Sequence, residues 1–488
     1  MLVIFKSVLS RRLCLVILTV LTIAACAINP VSEEFDFGVM SQAEEIEIGK
    51  TLHEQFLQKY HVYNSRELQN YVNRIGQDLA TVSHRSHLNY TFTVVDSHEL
   101  NAFAIPGGFI YVTRGMLAYL NSESELAAVL GHEVGHIAAR HGVRKDAAME
   151  IPTFLGQVLF NHIGFGLDRA YSKFMQAKMT RYSHQFEKEA DSLAVEYLAR
   201  AGYAPKSMSN VISIIKNKEQ FIEQYASASN HKANLYHGFD SHPDTSERAV
   251  LVEKDVQRLM EELPNSRKPG WTAYLEHLEG LVFGPPNGVR IIDGHYLHPP
   301  SRSGVKIPEN WSVNANGKIL QLVAPGEAAV IQVSSRPHIE GTSAKTYLHG
   351  LLLSDEFTSE EELQLDGIDG WIATSTKQTA KGEIPIWLAT MIVDDIVHIV
   401  VGTTSNKRKY SKTIADCIRS AYRLSDADIA RTKPRQINLL KVTPGMTYRQ
   451  VASESPLGQN AERLLRLING QTDTNATLQV GHFIKIIR

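Results

Sequence analysis

The chain has 488 residues, of which 43% are hydrophobic and 21% charged, and its formal net charge is -2. That length leaves room for several domains with cores of their own, and so balanced a charge gives no reason to expect a nucleic-acid partner. Three cysteines, Cys14, Cys26 and Cys417, are too few for a disulfide framework.

Lys6, Arg11 and Arg12 precede an apolar run from Leu13 to Ala25. The run is too short for a membrane span, and with its basic flank it reads as a signal peptide over residues 1–25. It ends in LTIAAC, which resembles a bacterial lipobox. The resemblance implies cleavage before Cys26, a lipid anchor on that thiol and, with Ala27 rather than Asp following, the periplasmic side of the outer membrane. A plain secretory signal with a chance cysteine is the alternative. Losing the three cations takes the charge from -2 to -5, a mildly acidic mature protein. With Cys14 removed and Cys26 acylated, Cys417 has no partner for an internal disulfide. Residues 26–40 read as a tether.

From Ser41, SQAEEIEIGKTLHEQFLQKY has Glu44 at capping-box spacing and an amphipathic period, so it is expected to be helical. Glu67 to Ser83 reads as a second helix. YTFTVV and GFIYVT alternate and are rich in β-branched and aromatic residues, with Pro106-Gly107-Gly108 as a turn. A small sheet is therefore expected, and NAFA (Asn101 to Ala104) is a candidate for an edge that could pair with an extended peptide. An ordinary core strand is the other reading of NAFA.

Ser122 to His141 reads as one helix, with Ser122 as N-cap and Glu125 completing a capping box. Leu126, Val129, Leu130 and Ile137 recur at helical spacing and mark a face that looks inward. Within it lies HEVGH, an H-E-x-x-H. His132 and His136 are i and i+4, so both imidazoles can reach one ion. Glu133 can reach a water on that ion without having to ligate it. Two imidazoles and an oxygen suit one zinc ion per chain, with the fourth position kept for water.

Residues 142–169 are rich in glycine and read either as a cover for the cleft or as a helical hairpin. A helical pattern runs from about Ala170 to Ala201, with Gly202 as its stop. Inside it, Glu187 and Asp191 are i and i+4. They read either as a solvated acidic face or as a third zinc ligand, Glu187, with Asp191 placed to accept the outer N–H of a ligating histidine. His184 is a rival ligand on the face of Glu187.

With HEVGH on one helix and EKEAD, an E-x-x-A-D, on the next, the chain resembles the M48 (HtpX-like) zinc metallopeptidases. The resemblance implies His132, His136 and Glu187 as zinc ligands, Glu133 as general base and Asp191 as the acid behind a ligand. GFDSHPDTSERAVLV resembles that family's S-x-H-P-x-x-x-x-R loop, with Asp240 where the serine usually stands. By the same resemblance His242 sits near the zinc, steadying an oxyanion or plugging the open position, and Arg248 pairs with a nearby carboxylate. The pattern covers roughly residues 40–265 and resembles the soluble periplasmic branch of the family.

Tyr274 to Gly284 reads as a short helix, and Pro285-Pro286-Asn287-Gly288 as a domain boundary. Five alternating runs, KILQLVA, AAVIQVS, GWIATST, PIWLATMIV and VHIVVGTT, with helices near Ser343–Leu353 and Ser411–Arg423, read as a small α+β domain over 285–430. His295 and His298 there read as loop residues. Residues 437–488 read as strand, helix, helix and strand, which resembles a LysM domain and implies binding of peptidoglycan. Gly445-Met446-Thr447 departs from the usual G-D-T, so protein docking or a structural role stays open beside glycan binding.

The expected fold is thus an α+β multidomain chain. A mainly helical, zincin-like (gluzincin) protease domain with a small β-sheet covers 41–284, followed by the α+β domain and the LysM-like βααβ unit. The expected function is zinc-dependent endopeptidase activity in the bacterial periplasm, on unfolded or misassembled envelope proteins. The alternatives are an envelope or outer-membrane assembly factor with a latent protease site, and a peptidoglycan hydrolase directed by the tail.

Overall fold

A computed structural model describes residues 30–31, 40–147, 184–228, 245–262, 271–285, 289–316, 319–351, 357–379, 382–471, 473 and 476–488. The expected signal peptide, Cys26, nearly all of the tether, residues 148–183 and His242 lie outside the described residues. Among the described residues, no helix is long and apolar enough to cross a membrane.

The chain divides into two compact units. The first takes its described residues from 1–217, 238–281 and 438–486. It opens with helix α1 (Gln42–Lys59), whose N-cap Ser41 forms the full capping box with Glu44. Helix α2 (Arg66–Thr81) follows, capped by Ser65. Three strands then form a sheet in the order β1, β3, β2: β1 (Thr91–Val95) runs parallel to β3 (Phe109–Thr113), and β2 (Ala102–Ile105) runs antiparallel to β3 at the edge. The turn between β2 and β3 needs glycine. Gly108 has φ +98°, and a Cβ there would meet the Asn89 carbonyl oxygen at 2.6 Å.

Helix α3 (Arg114–Tyr119) leads into α4 (Glu123–Ala138), the centre of the unit. Every α4 residue from Ser124 to Ala138 is buried, so the helix is enclosed on all sides rather than presenting one inward face. It packs against α2, β2, β3, helix α6 (His184–Ala201) and the short helix α9 (Trp271–Glu276). Serine and alanine leave room for that enclosure on faces where hydrophobic periodicity is weak. The helix stops at Ala138 rather than running to His141, because Arg140 is in the left-handed region at φ +55°. His141 then begins α5 (His141–Ala147).

The approach of α4 to α6 is set by small residues. A Cβ on Gly135 would lie 3.1 Å from the Ala190 carbonyl oxygen, and one on Gly131 would lie 3.6 Å from the Ala194 Cα. Helix α6 ends as expected at Gly202, where Tyr203 N–H donates to the Leu198 carbonyl at 2.8 Å. Helices α7 (Ser207–Ala228) and α8 (Thr245–Glu262) follow, α8 packing on α6.

Residues 438–486 belong to this same unit and show the expected strand, helix, helix, strand order, with helices Tyr448–Ser453 and Ala461–Ile468. Lys485 is wholly buried, and its Nζ donates to the Ala118 and Leu120 carbonyls at 2.8 and 2.6 Å. It thereby satisfies carbonyls that the C-terminus of α3 leaves open.

The second unit takes 218–237, 282–437 and 487–488. Its centre is a seven-stranded antiparallel sheet ordered 359–362, 369–379, 382–393, 396–404, 329–337, 319–323, 312–316. Helix Ala344–His349 packs on one part of it and Lys407–Arg419 on another. Val282–Phe283 is a strand here, not the end of a helix from Tyr274, because the helix stops at Glu276 and Gly280 takes φ +77°. Cys417 is a free, buried thiol.

Candidate metal centre

The i, i+4 spacing on α4 puts Nε2 of His132 and Nε2 of His136 3.0 Å apart. The close approach of α6 brings Glu187 to both, with Oε2 3.5 Å from His132 Nε2 and Oε1 3.6 Å from His136 Nε2. All three residues are buried, and among the described residues they are the group of His, Cys, Asp and Glu whose donor atoms could hold one ion. Bonds of about 2.0–2.2 Å on a tetrahedron set donors about 3.3–3.6 Å apart; the two Glu187–imidazole spacings match that, and the two imidazole nitrogens stand slightly closer, at 3.0 Å. Glu133, on the same helix and next to His132, is fully buried.

The surroundings favour a cation. His132 Nδ1 lies 2.9 Å from Asp191 Oδ1. Burial works against a charge on His132, but the Asp191 and Glu187 carboxylates outweigh it and push its pKa up to about 10. Asp191 is in turn gripped by Arg248, whose Nε and Nη2 donate at 2.7 and 2.8 Å, while Arg248 Nη1 is 3.2 Å from Glu187. Burial raises the Asp191 pKa, and the hydrogen bonds from Arg248 and His132 more than reverse that, so it stays below the ordinary value.

The structure thus brings together His132, His136, Glu133, Glu187, Asp191 and Arg248. His184, the rival ligand, is exposed at the start of α6 and is not in the group. Glu125 does not close the capping box, although Ser122 accepts from its N–H. Its carboxylate accepts instead from Asn121 N–H at 2.7 Å and from Asn210 at 3.3 Å. Packed against α7, it is pulled one residue beyond the cap. Two residues the sequence did not single out also stand beside the centre. His136 Nδ1 lies 2.8 Å from His141 Nδ1, and His141 Nε2 lies 3.1 Å from Glu189 Oε2. A histidine five residues after a ligand has no helical signal, since a continuous helix would carry it about 140° round the axis. A cleft beside His136 is lined by Ala104, Ile105 and Pro106 from β2 and its turn, and by Ile137 and Val143.

Residues 66–255 match the family model described as Peptidase family M48. The beta-barrel assembly-enhancing protease of Escherichia coli (strain K12) is 24% identical over 192 residues, which cover 37% of this chain and 39% of that protein. Its namesake from Yersinia pestis is 26% identical over 168 residues, 32% of this chain and 34% of that one. The mitochondrial metalloendopeptidase OMA1 of Arabidopsis thaliana is 36% identical over 131 residues, 26% of each chain. The chain matches well under half the length of each of these relatives.

Proposed function

We propose that the protein, whose residues 66–255 match the model of peptidase family M48, is a zinc-dependent endopeptidase of the bacterial envelope. The observation that carries this reading is the buried donor set, His132, His136 and Glu187, with the acid Glu133 beside it. Zinc held there would polarise a scissile carbonyl and acidify a water. Glu133 accepts the proton of the attacking water and returns it to the leaving amine. Asp191 holds the His132 ring with its proton on Nδ1, and Arg248 keeps Asp191 ionised and in place. An extended substrate adds to the edge of β2, which pairs with β3 alone among the described residues and borders the cleft beside His136. That geometry suits an unfolded polypeptide, whose extended backbone has its N–H and C=O groups unpaired by a fold of its own.

The finer reading places the protein in the periplasm, anchored by a lipid on Cys26 to the outer membrane, with misassembled envelope proteins as substrates. The names of the relatives, which join β-barrel assembly to proteolysis, support it. The assembly in those names also bears on the second reading, an assembly factor with a latent protease site. The tail of residues 437–488 is proposed as a LysM-like unit, which leaves peptidoglycan as a further partner.

The test is cleavage of an unfolded β-barrel polypeptide by purified wild type and Glu133→Gln. Wild type should cut, lose activity to a chelator and regain it with zinc, while Glu133→Gln keeps its metal and does not cut. Equal cleavage by both proteins would remove Glu133 from the chemistry. If neither cuts but Glu133→Gln suppresses aggregation of the polypeptide, the assembly-factor reading takes over.

A further inference from the structure

We propose that His141 and Glu189 are positioning residues for His136, a relay that fixes which nitrogen of that ligand faces the metal; the role rests on the metal-centre reading above. His136 points Nε2 at His132 and Glu187, which leaves Nδ1 facing Nδ1 of His141 at 2.8 Å. Two ring nitrogens at that distance share one proton, so one donates and the other accepts. For Nε2 to offer a lone pair to a cation, the proton of a neutral His136 must sit on Nδ1. His141 Nδ1 then accepts, and its own proton sits on Nε2, 3.1 Å from Glu189 Oε2. This pair of tautomers satisfies all three contacts with both rings neutral. The reverse pair would put a proton on His136 Nε2 and turn a bare nitrogen of His141 toward a carboxylate.

The relay is built rather than incidental. His141 is wholly buried and stacks on Phe186, with ring centroids 4.4 Å apart and planes 13° apart. Arg144 Nη1 donates to the same Oε2 of Glu189 at 3.3 Å and holds that oxygen in place. The left-handed turn at Arg140 brings His141 back to His136. That turn is pinned, since Arg140 donates to buried Glu45 at 3.1 Å and to the Met40 carbonyl at 2.5 Å. The two ligands are therefore held differently. His132 faces a carboxylate directly, whereas His136 faces one through a neutral ring.

The experiment titrates Co2+ into metal-free, full-length protein and reads both its affinity and its visible absorption. His141→Phe keeps the stack on Phe186 but has no ring nitrogen. It should bind Co2+ about 10–100-fold more weakly than wild type, with an altered absorption band. Glu189→Ala should weaken binding in the same way, and Glu189→Gln, whose amide oxygen still accepts from His141, should recover most of the loss. Wild-type affinity and spectrum in His141→Phe and Glu189→Ala would overturn the relay. If His141→Phe does not fold, the Glu189 pair decides. Failure of the wild type itself to bind Co2+ would overturn the metal-centre reading, and the relay with it.

Discussion

Arg248 and Asp191 are each almost wholly buried, at 3% and 2% exposure, and neither charge could stand there alone. Arg248→Met should therefore destabilise the fold by about 3–5 kcal/mol in chemical denaturation, because it strands the Asp191 carboxylate. It should also weaken metal binding, since Asp191 is what holds His132. Arg248→Lys should recover little, as an ammonium cannot replace a guanidinium that donates from Nε and Nη2 together. A full-strength variant of either kind would mean the pair is ornamental. At this scale the sequence was legible where covalent spacing did the work. His132, Glu133 and His136 are tied to one another by a single turn of helix. Glu187 and Arg248 lie too far along the chain for spacing to join them; Glu187 stood as a candidate third ligand with His184 as its rival, and family resemblance selected it and supplied Arg248. His141 was silent because its placement depends on a left-handed residue that looks like any other arginine.

The two helices that carry the donors meet through glycine and alanine, and two substitutions on α4 should part ways for that reason. Gly131→Ala places its Cβ 3.6 Å from Ala194, an ordinary contact, and gains helix propensity. It should stabilise the protein by up to about 1 kcal/mol. Gly135→Ala meets backbone, the Ala190 carbonyl oxygen at 3.1 Å, so α6 must give way. Thermal and urea unfolding should show a loss of about 1–3 kcal/mol. Metal affinity should fall with it, because α6 carries Glu187. Equal effects from the two would mean that the spacing of α4 and α6 does not set the site. Caps and alternation foretold most elements here, including the Ser41 capping box and strands β1 and β3, while β2 stayed open between an edge and a core strand. The enclosure of α4 was missed, because small residues contribute little to a hydrophobic period even when fully buried.

For the molecule as a whole, the C-terminal residues 438–486 are part of the unit that holds the metal centre, and Lys485 is the contact with a measurable signature. Burial lowers its pKa to about 7, with the Glu125 charge pulling the other way. An unfolded lysine titrates near about 10.4. Between those values the unfolded chain binds the extra proton, so stability rises with pH. Urea unfolding midpoints should climb from about pH 7 toward pH 10, and Lys485→Met should flatten that climb. An identical slope in the variant would mean that Lys485 is charged when folded. Nothing in the sequence marked this contact. A lysine in a strand reads as an outward residue, and its partners are backbone carbonyls far away in the chain.

The proposed activity requires that His132, His136 and Glu187 hold one metal ion between α4 and α6. X-ray absorption at the zinc edge of the purified full-length protein, with the metal content measured alongside, tests it most directly. One zinc per chain is expected, with two imidazole nitrogens and a carboxylate oxygen at about 2.0–2.2 Å, and loss of that oxygen in Glu187→Gln. A protein that retains no metal, or a ligand shell that Glu187→Gln leaves unchanged, would contradict it.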